Sequence, residues 1–366
     1  MSRRVAVLGS TGSIGCQALE VIEKSPELDL HSIVCGSSRD KLEKQTDRYS
    51  PAYAMCASSG DVEEDEILLK AMDGADIVLN AIVGSAGLKA SLIAQEMSLP
   101  LALANKESLV VGSDLLKEHL SSGLVIPVDS EHSTIFRCIQ GEARKVRRIT
   151  LTASGGSLRD TPLNLINDAP LKMVLAHPTW EMGGRITVDS ASMVNKAFEV
   201  LEARALFPGI PVDVVIHRSS IVHSFIESAD GAWKALIGLP DMKIPIAWAL
   251  LYPDLPTFAV ASENPLDWGD LSFQPMEKRR YPAFYSVLAA GDLGGTAPAA
   301  ANAADEIAIK AFLKNELPFG AIATVIDEVL NLTPVEPVED FAHIIHVDVT
   351  ARKNARKAVS RICSQL

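Results

Sequence analysis

The stretch Val5-Ala6-Val7-Leu8-Gly9-Ser10-Thr11-Gly12-Ser13-Ile14-Gly15 decides how this chain begins to fold. Its first four residues are apolar without a break, the mark of a short buried strand. Three glycines at intervals of three follow at once. Beyond them Ile14, Ala18, Val21 and Ile22 recur at helical core spacing, which predicts a helix over Ile14–Lys24. Strand, Gly-rich turn and helix in that order form a phosphate-binding device. The glycines let the backbone approach a pyrophosphate, and the helix N-terminus offers unpaired N–H groups. Gly9, Gly12 and Gly15 are the candidates for that role. The first interval is Gly-x-x-Gly rather than the commoner Gly-x-Gly, and a plain strand–helix connector is the alternative reading.

Further β-α units follow. Leu30–Cys35 reads as a second strand and ends in Cys35-Gly36-Ser37-Ser38-Arg39. An NAD site usually places Asp or Glu there to hold the ribose 2′-hydroxyl. Here a hydroxyl pair and Arg39 stand instead, which favours NADP(H) and its 2′-phosphate. Ile77–Asn80, Leu99–Ala104 and Val125–Val128 are further short apolar runs between helical patterns, and the alternation implies a parallel sheet with right-handed crossovers. After residue 129 the pattern changes, with strands expected at Ile149–Ala153, Val212–His217 and Ser220–Ser228. Between them Val174–Arg185, rich in Pro, Trp, Met and Gly, reads as a lid loop, with His177 in it and Trp180 and Met182 as apolar cover. Tyr252 to Pro282 is Pro-rich and reads as a linker, after which Ala299–Leu313, Phe319–Leu330 and Val349–Gln365 are the strongest helical segments. The expected fold is α/β: a Rossmann-type doubly wound sheet over 1–128, an α+β catalytic domain over 129–255 with its lid at 174–185, a linker over 256–280 and a helical bundle over 281–366.

Composition narrows the function. With 366 residues, 48% of them hydrophobic, the chain is long enough for two or three cores. A net charge of −12 argues against a sequence-independent hold on nucleic acid. No charge-free stretch reaches the roughly 18 apolar residues of a membrane span. The N-terminus lacks the apolar segment of a signal peptide, which points to the cytoplasm, or to a plastid-type matrix if a transit peptide has been removed. The five cysteines are scattered without Cys-x-x-Cys spacing and read as reduced thiols.

A second chemical signal lies in Pro127-Val128-Asp129-Ser130-Glu131-His132. On an extended backbone Asp129 and Glu131 face the same way. Two carboxylates so close repel unless a cation or proton intervenes, and oxygen ligands of this kind suit Mg²⁺ or Mn²⁺. A helix N-cap is an equally open reading. Asp189–Glu199 reads as one capped helix on which Asn195, Lys196 and Glu199 share about 100° of arc. Ser190, Asn195 and Lys196 would make a phosphate cradle and Glu199 a third metal oxygen; a solvated Lys–Glu pair is the plain alternative. Ser154 with Gly155 and Gly156 ends a strand and could bind an anion. Lys106 enters a helix from a strand end, poised to reach a substrate oxygen, with a generic helix-start lysine as the alternative, and His223, on a strand, reads first as a satisfied core histidine. A nicotinamide site and a metal site on one chain point to an enzyme that polarises a carbonyl and delivers hydride to it.

Across Gly9–Gly15, Ala104–Ser108, Val128–His132, Ala153–Gly156, Ala176–Gly183, Val188–Glu199, Ser220–Ser224, Pro240–Pro245 and Asn302–Glu306 the chain resembles the 1-deoxy-D-xylulose 5-phosphate reductoisomerase family. The resemblance implies conversion of that sugar phosphate to 2-C-methyl-D-erythritol 4-phosphate, with NADPH and Mg²⁺ or Mn²⁺ (Co²⁺ as a further option), in a homodimer of isoprenoid precursor synthesis. It implies that Asp129, Glu131 and Glu199 hold the metal, and that Ser154, Ser190, Asn195 and Lys196 take the phosphate end. Lys106, Ser130, Glu131 and His177 would meet the reacting end, with Trp180 from the lid and His223 as a fourth catalytic candidate beside Lys106, Glu131 and His177. Thr11, Gly12, Ser13, Ile14, Gly36, Ser37, Ser38, Asn105, Glu107 and Gly183 would touch NADPH. The implied rearrangement is retro-aldol/aldol, with a 1,2-shift left open. Small departures stand out: Thr179 where Asn is usual, Ser157-Leu158 where a small residue or Pro and then Phe are common, and a shorter region after Ile33. A plain NADP-dependent dehydrogenase, which needs no divalent ion, and an NADPH-binding scaffold with a dead site are the rival readings.

Overall fold

Six short strands, β1 (Arg3–Leu8), β2 (Leu28–Cys35), β3 (Tyr53–Cys56), β4 (Ile77–Asn80), β5 (Leu101–Leu103) and β6 (Val125–Pro127), lie in the order β3-β2-β1-β4-β5-β6, every neighbouring pair parallel. The order reverses between β1 and β4, so the chain leaves the ends of these two strands in opposite directions and opens a crevice where ligands bind in such sheets. Both faces of the sheet are covered by helices, which is why Val5 to Leu8 and Ile77 to Leu79 are completely buried and read as unbroken apolar runs. The computed structural model describes residues 2–59, 63–141, 146–177, 183–257 and 264–365.

This sheet belongs to the first of two compact units, which comprises Met1–Leu109, Ser113–Gln140 and Gly238–Asp267. The division differs from the expected boundaries at 128 and 255. Two helices explain the difference. Ser130–Ile139 follows β6 directly, and Lys243–Leu251 (Lys-Ile-Pro-Ile-Ala-Trp-Ala-Leu-Leu) buries seven of its residues in the core of the same unit. A helix apolar on nearly every face must be covered all round, and here it is clamped from several sides. Phe136 meets Trp248 and Tyr252 edge to face at 5.6 and 5.4 Å. Arg3 donates to the carbonyls of Leu250 and Tyr252 at 3.0 and 2.6 Å, and Lys243 pairs with Glu20 at 2.6 Å.

The second unit comprises Val110–Gly112, Gly141–Ile237 and Trp268–Leu366. Its strands β7 (Val146–Ala153), β8 (Val212–Ile216), β9 (Val222–Ser228), β10 (Trp233–Ile237) and β11 (Gln274–Pro275) form a sheet of order β10-β9-β7-β8-β11, in which only β7 and β8 run parallel. The helices Gly184–Ser192 and Val194–Leu206 lead on to a helical C-terminus of Pro282–Leu293, Ala297–Leu313, Ala321–Leu332 and Phe341–Cys363. Alanines line the second of these, and all eight of them (Ala297, Ala299 to Ala301, Ala303, Ala304, Ala308 and Ala311) are buried, which lets neighbouring helices approach closely. The last helix starts at Phe341, earlier than the expected Val349, because Ile344, Val347, Ala351 and Ala355 continue the buried stripe and Asp340 caps the end by accepting from the His343 N–H at 2.7 Å. The Rossmann-type sheet, the α+β centre and the helical C-terminus are all present. Among the described residues no helix is long and apolar enough to cross a membrane.

Candidate active site

In the first unit the glycine turn sits at the crossing of β1 and β4. Gly9 is left-handed, φ +83°, and a Cβ there would lie 2.4 Å from the Ala81 carbonyl oxygen; one on Gly15 would lie 2.3 Å from the carbonyl oxygen of Gly9. The turn therefore closes only with hydrogen at both positions. The N–H groups of Gly9 and Ser10 both donate to the Val34 carbonyl, at 2.8 and 3.0 Å, so the turn is tied to β2. The N-cap of the following helix Ser13–Lys24 is Gly12, which has no side chain to cap it. Its first-turn N–H groups are accordingly offered to an anion. Gly36, Ser37 and Ser38 are exposed at the end of β2, and Arg39 starts the helix Arg39–Tyr49 beside them.

Asn105 sits at the N-cap of the helix Lys106–Gly112. It is 2% exposed, and its amide donates to the carbonyls of Ile82 and Gly84 at 2.7 and 2.9 Å and to Glu107 Oε2 at 2.9 Å. Its Oδ1 accepts from the N–H and hydroxyl of Ser108. Asn80, at the end of β4, donates to Gly87 O and Ser91 Oγ at 2.8 and 2.9 Å, and Ser91 meets Ser108 at 3.0 Å. This buried knot holds the loop 81–87 and engages the polar atoms of the Asn105 side chain. Neither Asn80 nor the two serines stood out in the sequence, because a strand-end Asn and helical serines carry no spacing signal.

At Asp129 the backbone passes from β6 into the helix Ser130–Ile139, so Glu131 lies in the first helical turn and the extended-strand argument for the pair does not hold. The outcome it sought does: carboxylate oxygens of Asp129 and Glu131 lie within 4.8 Å of each other. Nor is Asp129 a capping side chain. It occupies the N-cap position without making the cap bond, and its Oδ2 instead lies 2.7 Å from Lys106 Nζ, in a pair 15% and 14% exposed. Ser130 Oγ donates to Glu131 Oε2.

In the second unit the expected helix Asp189–Glu199 is two helices. Gly184–Ser192 ends at Met193, left-handed at φ 63° with its side chain buried, and Val194–Leu206 begins there. Ser190 thus closes one helix while Asn195 and Lys196 open the next. Asn195 Nδ2 and Lys196 Nζ donate to different oxygens of Glu199, and Lys196 and Glu199 are 5% and 2% exposed, so this is no solvated pair. The loop after β7 packs on the same junction: a Cβ on Gly156, φ +69°, would lie 2.4 Å from the Ser190 carbonyl oxygen. Ser154 Oγ accepts from the Gly156 N–H at 3.2 Å and meets His177 Nε2 at 3.1 Å. Burial, and then the positive Arg159, pull the His177 imidazole below its usual range. Arg159 also donates to the Ser154 carbonyl at 2.8 Å, and the buried Tyr281 hydroxyl donates to that of Gly155 at 2.9 Å; burial pushes its phenol up to about 12. Those two residues were missed, since they act through backbone carbonyls. His223 is buried on β9, and its carbonyl accepts the Thr152 hydroxyl at 2.8 Å. Gly183 is exposed at the start of its helix. Trp180 and Met182 lie outside the described residues.

Family models cover most of the chain. Residues 5–113 match 1-deoxy-D-xylulose 5-phosphate reductoisomerase, 125–207 its C-terminal domain, and 237–354 a further DXP reductoisomerase C-terminal domain. The reductoisomerase of Bacillus pumilus is 39% identical over 96% of this chain and 98% of its own length, and that of Halothermothrix orenii 37% identical over 99% and 100%. The chain belongs to the 1-deoxy-D-xylulose 5-phosphate reductoisomerase family. A crystal structure of DOX-P reductoisomerase in complex with NADPH, fosmidomycin and magnesium superposes with a TM-score of 0.91 at 32% identity, covering 98% of both chains. The Zymomonas mobilis reductoisomerase with NADPH gives 0.88 at 33% identity, covering 98% of this chain and 99% of that one.

Proposed function

We propose that this protein converts 1-deoxy-D-xylulose 5-phosphate to 2-C-methyl-D-erythritol 4-phosphate, using NADPH and a divalent cation, Mg²⁺, Mn²⁺ or Co²⁺. The observation that carries the reading is the Lys106–Asp129 pair beside the Glu131 carboxylate, in a unit that also holds a dinucleotide turn. Asp129 makes no side-chain cap bond, and its carboxylate and that of Glu131 offer two hard oxygen donors at one corner. Asp129 and Glu131, with Glu199, are the proposed cation ligands; the donor set suits a hard ion. The backbone of Gly9 to Gly15 and the hydroxyls of Ser37 and Ser38, with Arg39, are the proposed hold on NADPH; glycine at 9 and 15 lets the turn pack against its own neighbouring backbone and so presents the helix N-terminus to a pyrophosphate. When bound, the cation polarises a carbonyl oxygen and NADPH supplies hydride.

The chain's own groups do the rest. Ser154, Ser190, Asn195 and Lys196 bind the substrate phosphate, and energy gained at that remote end orients the reacting end. Lys106 presents its ammonium to a substrate oxygen. His177, kept neutral by burial, can take or pass a proton at Nε2, where it meets Ser154. Ser130 orients the Glu131 carboxylate. The protein acts as a cytoplasmic homodimer without nucleic-acid or membrane partners. Trp233 and Phe273 of the second unit, 53% and 42% exposed, are apolar surface that a second copy would cover.

The test is NADPH oxidation with the sugar phosphate, with and without EDTA. Turnover is expected to vanish with chelation and return with Mg²⁺. Glu131→Gln is expected to lose turnover while still binding NADPH; normal activity in that variant defeats the ligand assignment. Chelator-insensitive oxidation favours a plain dehydrogenase, and binding without turnover a scaffold.

A further inference from the structure

Below the phosphate cradle, entirely within the second unit, lies a polar cluster that the proposed chemistry does not use. Asp305 on the helix Ala297–Leu313 is 0% exposed, and neither of its oxygens has a hydrogen-bond donor among the described residues. What acts on it is another carboxylate, that of Asp189, 5% exposed on the helix Gly184–Ser192. Arg185 lies with its Nε 3.7 Å from Asp189 Oδ2 and its Nη1 3.1 Å from Glu306 Oε1. Arg352 Nη2 holds the other Glu306 oxygen at 2.7 Å, and Arg352 Nε holds Asp348 at 2.6 Å. Helices Pro282–Leu293 and Ala321–Leu332 bury only uncharged residues against their neighbours. The charges that reach Asp305 therefore come from Asp189, Arg185 and Glu306.

Two buried carboxylates facing each other cannot both be ionised without a large desolvation and repulsion cost. One proton between them satisfies both. Asp189, beside the Arg185 guanidinium, is the partner better able to keep the negative charge. We propose that Asp305 is a positioning residue for the phosphate cradle: as a carboxylic acid it donates a hydrogen bond to Asp189 and fixes the end of the helix that carries Ser190. The direction of its titration agrees, since burial first and Asp189 second raise the Asp305 carboxyl well above the usual carboxylate range. The Arg185–Glu306–Arg352 chain ties the start of the same helix to the C-terminal helices, so both ends of Gly184–Ser192 are held by polar contacts rather than by packing alone.

The inference rests on the reading of Ser190 as a phosphate contact. The test uses the full chain with NADPH and Mg²⁺, measuring KM and kcat for the sugar phosphate from neutral to alkaline pH. Asp305→Ala is expected to raise KM about tenfold with kcat nearly unchanged, the effect of one lost hydrogen bond to a charged group. Asp305→Asn keeps a donor and is expected to restore a near-wild-type KM. Wild-type KM should climb as rising pH removes the Asp305 proton, and the Asn variant should lack that climb. An Asn variant as impaired as the Ala variant, an unchanged KM in the Ala variant, or identical alkaline profiles for wild type and Asn variant would each overturn the proposal. If the Ala variant does not fold, the comparison of wild type with Asp305→Asn decides. Ser190→Ala separates the two readings: an unchanged KM there removes the cradle assignment, while the shared proton still shows as an alkaline fall in thermal midpoint that Asp305→Asn lacks.

Discussion

Replacing Gly15 by Ala probes the nucleotide turn with a single methyl group. The new Cβ would lie 2.3 Å from Gly9 O, 2.6 Å from Ser10 Cα and 2.7 Å from Ser10 C, all of them backbone atoms that cannot rotate aside. Carbon contacts prefer about 3.5–4 Å, so the helix Ser13–Lys24 must retreat by about an ångström. Ala is the better helix former by about 1 kcal/mol, while overpacking of this kind costs about 1–3 kcal/mol. With backbone on the opposing side the cost should sit at the upper end, leaving a net loss of about 1–2 kcal/mol in urea denaturation of the ligand-free protein. The retreat also draws the first-turn N–H groups away from the pyrophosphate. Losing one charge-assisted hydrogen bond there weakens NADPH by about tenfold or more, read by fluorescence titration. Gly36→Ala is the control: nothing lies within 4 Å of a Cβ at Gly36, so its folding stability should not change. If Gly15→Ala kept both its stability and its NADPH affinity, the close-approach argument would be wrong.

Two further substitutions follow from the second unit. Gly156→Ala places a Cβ 2.4 Å from Ser190 O on a backbone with φ +69°, and should raise KM for the sugar phosphate by about tenfold or more while NADPH affinity holds. Tyr281→Phe removes the hydrogen bond to Gly155 O and should cost about 1 kcal/mol of stability at neutral pH. The folded-state phenol is raised from 10.0 to about 12, so its contribution is intact below pH 10 and drains as pH rises toward 12. Urea midpoints over that range should fall more steeply for the wild type than for Tyr281→Phe, and parallel curves would remove burial as the cause.

What could be read in the sequence was chemistry confined to one local stretch. Gly9, Gly12 and Gly15 announce a turn because the constraint is between near neighbours, and the structure shows the same atoms in conflict that the spacing implies. The unbroken apolar runs of β1 and β4 give the parallel sheet for the same reason. Elements whose meaning comes from elsewhere in the chain were misread. Lys243–Leu251 falls within the expected catalytic domain 129–255, since nothing in its own composition says that Phe136 and Arg3 hold it in the first unit. Met193 gives no hint of a break, because a left-handed Met is set by the packing of two helices rather than by propensity.

The same distinction governs the site. Asp129 is ambiguous in the sequence because N-caps and metal ligands use the same side chain just before a helix. In the fold Asp129 sits at the N-cap without a side-chain cap bond, and Lys106, from the end of a neighbouring strand, lies 2.7 Å from it. Asp305 is the extreme case. In an Ala-rich helix it looks like an ordinary polar position, and it is burial first, then the approach of Asp189, that raises its carboxyl. Where charge partners come from distant segments, residue type fixes which chemistry is available, and the fold decides which of it is used.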